Sequence, residues 1–220
     1  LYKFQSYQRP FGIVFHPKAI ENLITNALNE KEYTEEDVFF LNERWHCFDA
    51  HSSLSSVEKN ELLKNLNEAI SNTKKQIQNA THILITLGTS WVYRFIEKDT
   101  IVANCHKIQQ RKFLKEILSV DEVAECLEAI TALIQSVNKK AVITFTVSPV
   151  RHLKDGFTQN QQSKSHLIAA INQIVEPRNN THYFPSYEIM MDELRDYRFY
   201  ADDMIHPNQT AINYIWEKFV

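Results

Sequence analysis

The chain has 220 residues, enough for one well-buried domain and short for two. Hydrophobic residues make up 44%, charged residues 23%, and the net charge is −3, so the basic footprint of a phosphate-tracking, nucleic-acid-binding protein is missing. No run reaches the ~20 apolar residues of a membrane span, and three cysteines without a C-x-x-C pair (Cys47, Cys105, Cys126) argue against a disulfide framework and favour a reducing, cytoplasmic setting.

Leu1–Tyr7 alternates in part and is predicted as a short strand, broken at Arg9-Pro10-Phe11-Gly12. Pro17 suits a first helical turn, where its missing N–H would have no partner anyway. Ile20, Leu23, Ile24, Ala27 and Leu28 then share one face of a helix predicted over Lys18–Asn29. Thr34-Glu35-Glu36-Asp37 reads as another helix start, and Trp45–Ser53 as an aperiodic loop. Ser55-Ser56-Val57-Glu58 has the pattern of a capping box opening a long helix to about Asn79.

His82–Leu87 is a near-continuous apolar run of the kind found in buried parallel strands, and it stops at Gly88. Trp91–Phe95 and Thr100–Ala103 are predicted to form a hairpin around Lys98-Asp99. Ser119-Val120-Asp121-Glu122 is a second capping box, starting a helix to about Asn138. A buried-type strand over Ala141–Val147, a helix over Gln162–Val175, a short strand at His182–Phe184 and a terminal helix over Pro207–Phe219 complete the pattern. The alternation predicts an α/β fold: a three-layer αβα sandwich around a mostly parallel sheet, with the site beyond the carboxyl ends of the strands. Gly12, Gly88–Trp91, Ser148–Arg151 and Asp203–His206 all fall at such ends.

Asp203-Met204-Ile205-His206 carries the strongest chemical signal. Acyl transfer by a serine needs an imidazole to take and return a proton, and a carboxylate to fix its tautomer and stabilise its cation. A three-residue offset just ahead of a helix lets both side chains project together. Gly88-Thr89-Ser90-Trp91 offers backbone N–H groups to a developing oxyanion; its surroundings are not G-x-S-x-G, so Ser90 is read as lining and not as nucleophile. His46, Asp49, His51, Cys105 and His106 are metal-capable, but lack the helical i, i+4 spacing of zinc hydrolases; a polar pocket-lining loop is the simpler expectation. Arg151 begins a small basic cluster with His152 and Lys154, suited to pairing with a carboxylate or to holding an anionic substrate group.

These segments, taken in order, resemble the GSCFA family of the SGNH hydrolase-like group. The matching stretches include Pro10-Phe11-Gly12-Ile13, Phe48-Asp49-Ala50-His51-Ser52, Leu87-Gly88-Thr89-Ser90-Trp91 and Asn104-Cys105-His106-Lys107. Further along come Val147-Ser148-Pro149-Val150-Arg151-His152, Ser163-Lys164, Pro185-Ser186-Tyr187-Glu188, Arg195–Tyr200 and Asp203–Pro207. The resemblance implies one SGNH-like (flavodoxin-like) domain over residues 1–220, entered after a first strand that carries the nucleophilic serine, so that strand and serine are expected upstream of Leu1, where a leader would also lie. It implies an esterase acting on a small or carbohydrate-linked ester, with Asp203 and His206 catalytic and no cofactor. Gly12 matches the oxyanion glycine. Where SGNH enzymes carry an oxyanion asparagine this chain has Gly88-Thr89-Ser90-Trp91, and Asn104 is the candidate substitute. His51, Trp91, His106 and Arg151 would line the substrate pocket. Two alternatives stand beside this: a non-catalytic module that binds a glycan or protein, and a metal-dependent hydrolase built on His46, Asp49, His51 and Cys105 or His106. An uncovered sheet edge would favour an oligomer.

Overall fold

A computed structural model describes residues 5–220; Leu1–Phe4, most of the first predicted strand, lie outside the described residues, and Gln5–Tyr7 adopts no regular structure. The central element is a parallel sheet of β3 (His82–Leu87), β7 (Val142–Val147) and β8 (Thr181–Phe184), in the order β3-β7-β8. Its register pairs Ile85 with Phe145 and Leu87 with Val147, so alternate residues stack their side chains on one face. That face carries Ile85, Leu87, Ile143, Phe145 and Val147. They share a buried cluster with Val123, Leu127, Ile130 and Ile134 of helix α3 (Val120–Val137) and Leu167, Ala170 and Ile171 of α4 (Phe157–Ile174). Burial of such side chains contributes about 1.5–3 kcal/mol each, which makes this the main source of cohesion.

The opposite face is more polar and less covered. Thr146 shares a 2.6 Å hydrogen bond with Ser186, the first residue of α5 (Ser186–Glu188), and Phe184 meets Phe219 of α6 (Gln209–Phe219) edge to face. Leu84 on β3 is 52% exposed. The chain is thus α/β with helices on both sides of a parallel sheet, the expected layered architecture.

Two smaller sheets flank this core. β4 (Trp91–Phe95) pairs antiparallel with β5 (Thr100–Val102), forming the predicted hairpin, and also with β6 (Phe113–Ile117), which periodicity did not reveal. β6 is hidden in sequence because Lys115 and Glu116 interrupt it and Leu114 points outward. The second sheet corrects the loop predicted over Trp45–Ser53: Arg44–Cys47 is strand β2, paired with β1 (Val38–Leu41) from Val38↔Cys47 to Leu41↔Arg44. Asn42 and Glu43, both at positive φ, make the two-residue turn whose backbone twist matches a hairpin. Helices α1 (Pro17–Leu28) and α2 (Lys59–Asn79) pack over this hairpin around Phe11, Tyr33, Leu62, Leu66 and Ile70.

Local signals fared unevenly. The box at Ser119 forms as expected: Ser119 Oγ accepts the Glu122 N–H at 3.2 Å and Glu122 Oε2 accepts the Ser119 N–H at 2.8 Å. At Ser55–Glu58 it does not. The helix starts at Lys59, with Glu58 as its cap residue, and Ser56 Oγ accepts the Glu58 N–H instead. Thr34–Asp37 closes a capping box on a single 3-10 turn, and α4 begins at Phe157, earlier than its apolar periodicity indicated.

Candidate functional site

Asp203 and His206 sit on a closed loop. Tyr200 and Pro207 form an antiparallel bridge at its neck, and the Ala201 N–H donates to His206 O at 2.7 Å. Within the loop, Asp203 Oδ1 accepts the N–H groups of Ile205 and His206, each at 2.9 Å, and Oδ2 lies 2.6 Å from His206 Nδ1. These donors, the His206 backbone N–H first and its ring second, hold the Asp203 carboxyl down at about 2. A carboxylate so bound keeps the proton on Nδ1. Nε2 then presents its lone pair outward from a side chain 60% exposed, with no partner among the described residues. Helix α6 starts at Gln209, capped by Asn208 and not at Pro207 as predicted: Asn208 Oδ1 accepts the Ala211 N–H at 3.1 Å.

Arg151 ties this loop to the end of β7. Its Nη2 donates to the Tyr200 hydroxyl at 2.7 Å, and the guanidinium lies 4.4 Å from the Tyr200 ring centroid and 5.5 Å from that of Tyr197. The Tyr200 hydroxyl in turn donates weakly to Met191 Sδ at 3.7 Å. Met191 belongs to a π-helical stretch, Ile189–Leu194, that continues α5 and carries the chain toward the loop.

The turn after β3 is fixed from several sides. Gly88 N–H donates to Phe15 O at 2.7 Å, and a Cβ at Gly88 would lie 3.0 Å from the Phe15 Cβ, so a larger residue there would have to push the 11–16 segment outward. Ser90 N–H donates to Ser163 Oγ at 2.8 Å and Trp91 N–H to Thr89 Oγ1 at 3.0 Å. Ser90 itself is 0% exposed, its hydroxyl directed to Ser163. Most N–H groups of the turn therefore already have protein acceptors. Trp91 is half-buried, with its ring N–H on Gln159 O at 3.3 Å and Lys115 over its face at 4.6 Å.

Beneath the turn lies a residue to which the sequence reading gave no role. Lys164 is fully buried and its Nζ donates to Gly88 O and Ser148 O, each at 2.6 Å, clamping the ends of β3 and β7 together. Burial pushes this ammonium down to about 7. His152, whose N–H is held by Asn160 Oδ1 at 2.8 Å and whose ring meets Phe15, is pushed below its ordinary value by burial first and by the Lys164 charge second. A sequence signal existed for this cluster: Asn160, Ser163 and Lys164 share the buried stripe of α4 with Leu167, Ala170 and Ile171, and polar residues on a core-facing stripe mark a buried polar network.

The remaining candidates form a second group. Gly12, at φ +74°, abuts His51; a Cβ there would lie 2.5 Å from the His51 Cβ. Gly12 N–H donates to Arg9 O at 2.9 Å, and the half-buried His51 shares a 3.0 Å hydrogen bond with Ser53 through Nδ1. Asn104 Oδ1 accepts the His106 N–H at 2.8 Å. His106 is buried behind β2: its Nε2 meets Cys47 O at 2.7 Å, its ring packs 4.7 Å from that of His46, and its Nδ1 has no partner. Burial pushes His106 down to about 4. His46 uses both ring nitrogens, on Ser55 Oγ at 2.6 Å and Leu41 O at 3.1 Å. Asp49 accepts from the Tyr33 hydroxyl at 2.9 Å and pairs with Lys31 at 3.6 Å. Among the described residues no three His, Cys, Asp or Glu side chains converge as a metal ion would require.

The class of protein is therefore a layered α/β scaffold with its polar residues gathered where the parallel strands end, beside a hydrogen-bonded Asp–His pair. The chain belongs to the GSCFA family, whose model matches residues 1–219. No curated protein and no solved structure matches it. No helix among the described residues is long and apolar enough to cross a membrane.

Proposed function

We propose that this chain supplies the acid–base half of a serine-type carboxylic-ester hydrolase of the SGNH kind. The observation that carries the reading is the 2.6 Å contact between His206 Nδ1 and Asp203 Oδ2, which leaves Nε2 accessible. Nε2 takes the proton of the attacking serine hydroxyl as the oxygen bonds to the ester carbonyl carbon. It returns that proton to the departing alkoxide, and then activates water in the same way to release the acid. Asp203 stabilises the imidazolium formed in each half. The reading requires a serine hydroxyl within reach of Nε2; Ser90 does not serve, since it is buried with its hydroxyl on Ser163. In the full-length protein, His206→Ala is expected to abolish hydrolysis of short acyl esters without lowering Tm; wild-type turnover in that variant sinks the assignment.

A second reading, a module that binds a glycan or protein without turnover, draws on the committed donors. Gly12 N–H and Gly88 N–H both have protein acceptors, so an oxyanion hole built from them would first have to break those bonds. Full-length protein that binds an ester but never releases its acid would favour this reading.

A further inference from the structure

An arginine guanidinium can hold a carboxylate or phosphate through two parallel N–H bonds. Among the described residues no Asp or Glu oxygen lies within 4.0 Å of the Arg151 guanidinium; Arg44 likewise bonds only a backbone carbonyl, whereas Arg94 pairs with Glu116 and Arg198 with Asp196. A guanidinium has five N–H donors, and one of Arg151's is spent on Tyr200. Its carbon lies 4.4 Å from the Tyr200 ring centroid and 5.5 Å from that of Tyr197, a cation–π placement, and its other four N–H donors have no acceptor among the described residues. Tyr200 is also the neck residue of the loop that holds Asp203 and His206, so Arg151 is bonded to the loop that carries the Asp–His pair. The one acidic residue of the neighbouring 151–156 segment, Asp155, is paired with Lys115.

We infer that Arg151 is an anion-binding subsite beside the Asp203–His206 pair, selecting substrates that carry a carboxylate or phosphate close to the scissile ester. Tyr200 and Tyr197 hold the guanidinium by cation–π contact, and the exposed Tyr197 ring gives the rest of the ligand a face to stack on. The inference rests on the ester-hydrolase reading for the position of the reacting bond, but the subsite binds its anion whether or not the bond breaks.

The test uses three matched aryl acetates with the full-length protein: phenyl acetate, 4-acetoxybenzoate and 4-acetoxyphenyl phosphate. The wild type is expected to prefer at least one anionic ester over phenyl acetate in kcat/KM on the order of tenfold or more, the range of charge-assisted hydrogen bonds. Which anionic ester leads separates carboxylate from phosphate. In Arg151→Gln the ratio falls toward one, while Arg151→Lys, which keeps the charge and loses the fork, retains part of it. Binding of the products 4-hydroxybenzoate and 4-hydroxyphenyl phosphate, followed by calorimetry with phenol as the neutral control, reads the subsite without catalysis. If no ester turns over but an anionic product binds better than phenol and loses that advantage in Arg151→Gln, the hydrolase reading fails and the subsite stands. A wild type blind to charge in both assays, or an Arg151→Gln variant with an undiminished preference, overturns the subsite.

Discussion

Two histidine constellations in this molecule use the same side chain for opposite ends. His206 lies on a surface loop, holds a carboxylate through Nδ1 and leaves Nε2 to solvent. His106, with the His46 ring tilted against it, is buried behind β2, bonded to a backbone carbonyl and pushed down to about 4 by desolvation. A histidine with a charged partner and an open nitrogen can move a proton. One sealed among Phe39, Phe48 and His46 stays neutral at ordinary pH and acts as a polar packing group. Local sequence does not separate them, since both stand in polar, aperiodic stretches. Burial does.

The comparison can be broken most sharply at Asp203. Asp203→Asn would leave the loop's backbone bonds while losing the charge that orients and stabilises the imidazolium, and the loss in kcat/KM for a short acyl ester is expected to be ~10²-fold or greater. A smaller loss than that would mean the pair only shapes the loop. On the buried side, His106→Ala removes the ring's bond to Cys47 O, leaving only the Ala50 N–H on it, and opens a cavity beside His46. We expect a loss of about 2–4 kcal/mol in urea unfolding, where the exposed His206→Ala costs almost nothing. Equal stability of the two variants would erase the distinction.

Acid provides a milder test. His16 and His106 both titrate near 4 when folded, against an ordinary value of 6.5. Between those values the unfolded chain binds protons that the folded chain refuses, so stability rises with pH across that window and falls as pH drops from 6.5 toward 4. Tm at pH 4.5 should lie below that at pH 7, and His106→Phe should flatten part of the slope. The alkaline side is tested at Lys164. Its folded value of about 7 lies below the ordinary 10.5, so the folded chain releases a proton that the unfolded chain keeps, and stability gains with pH between the two. Lys164→Met removes that gain, read as a flatter Tm profile above pH 7.

Much of this was legible before any coordinates. The strands His82–Leu87 and Val142–Val147 announce themselves because a parallel strand covered by helices is apolar along nearly its whole length. The Asp203–His206 pair is legible because its spacing is local: both residues sit on one short loop closed by its own backbone. Strands β2 and β6 were not, because polar and charged residues occupy short edge positions whose pairing partner, not composition, makes them strands. Metal-capable residues His46, Asp49 and His106 looked like one group in sequence and turned out to serve Ser55, Tyr33 and Cys47 separately.

The sequence by itself determined the α/β alternation, the position of the polar edge and the identity of the Asp–His pair, because apolar periodicity and short-range hydrogen bonding are written within a few residues of each other. Tertiary structure alone decided that Lys164 clamps Gly88 to Ser148, that Arg151 stacks on Tyr200 without a carboxylate, and that His106 is sealed while His206 is open. Each of those outcomes depends on which distant segment excludes water from a side chain, and desolvation, unlike periodicity, is a property of the folded assembly of segments.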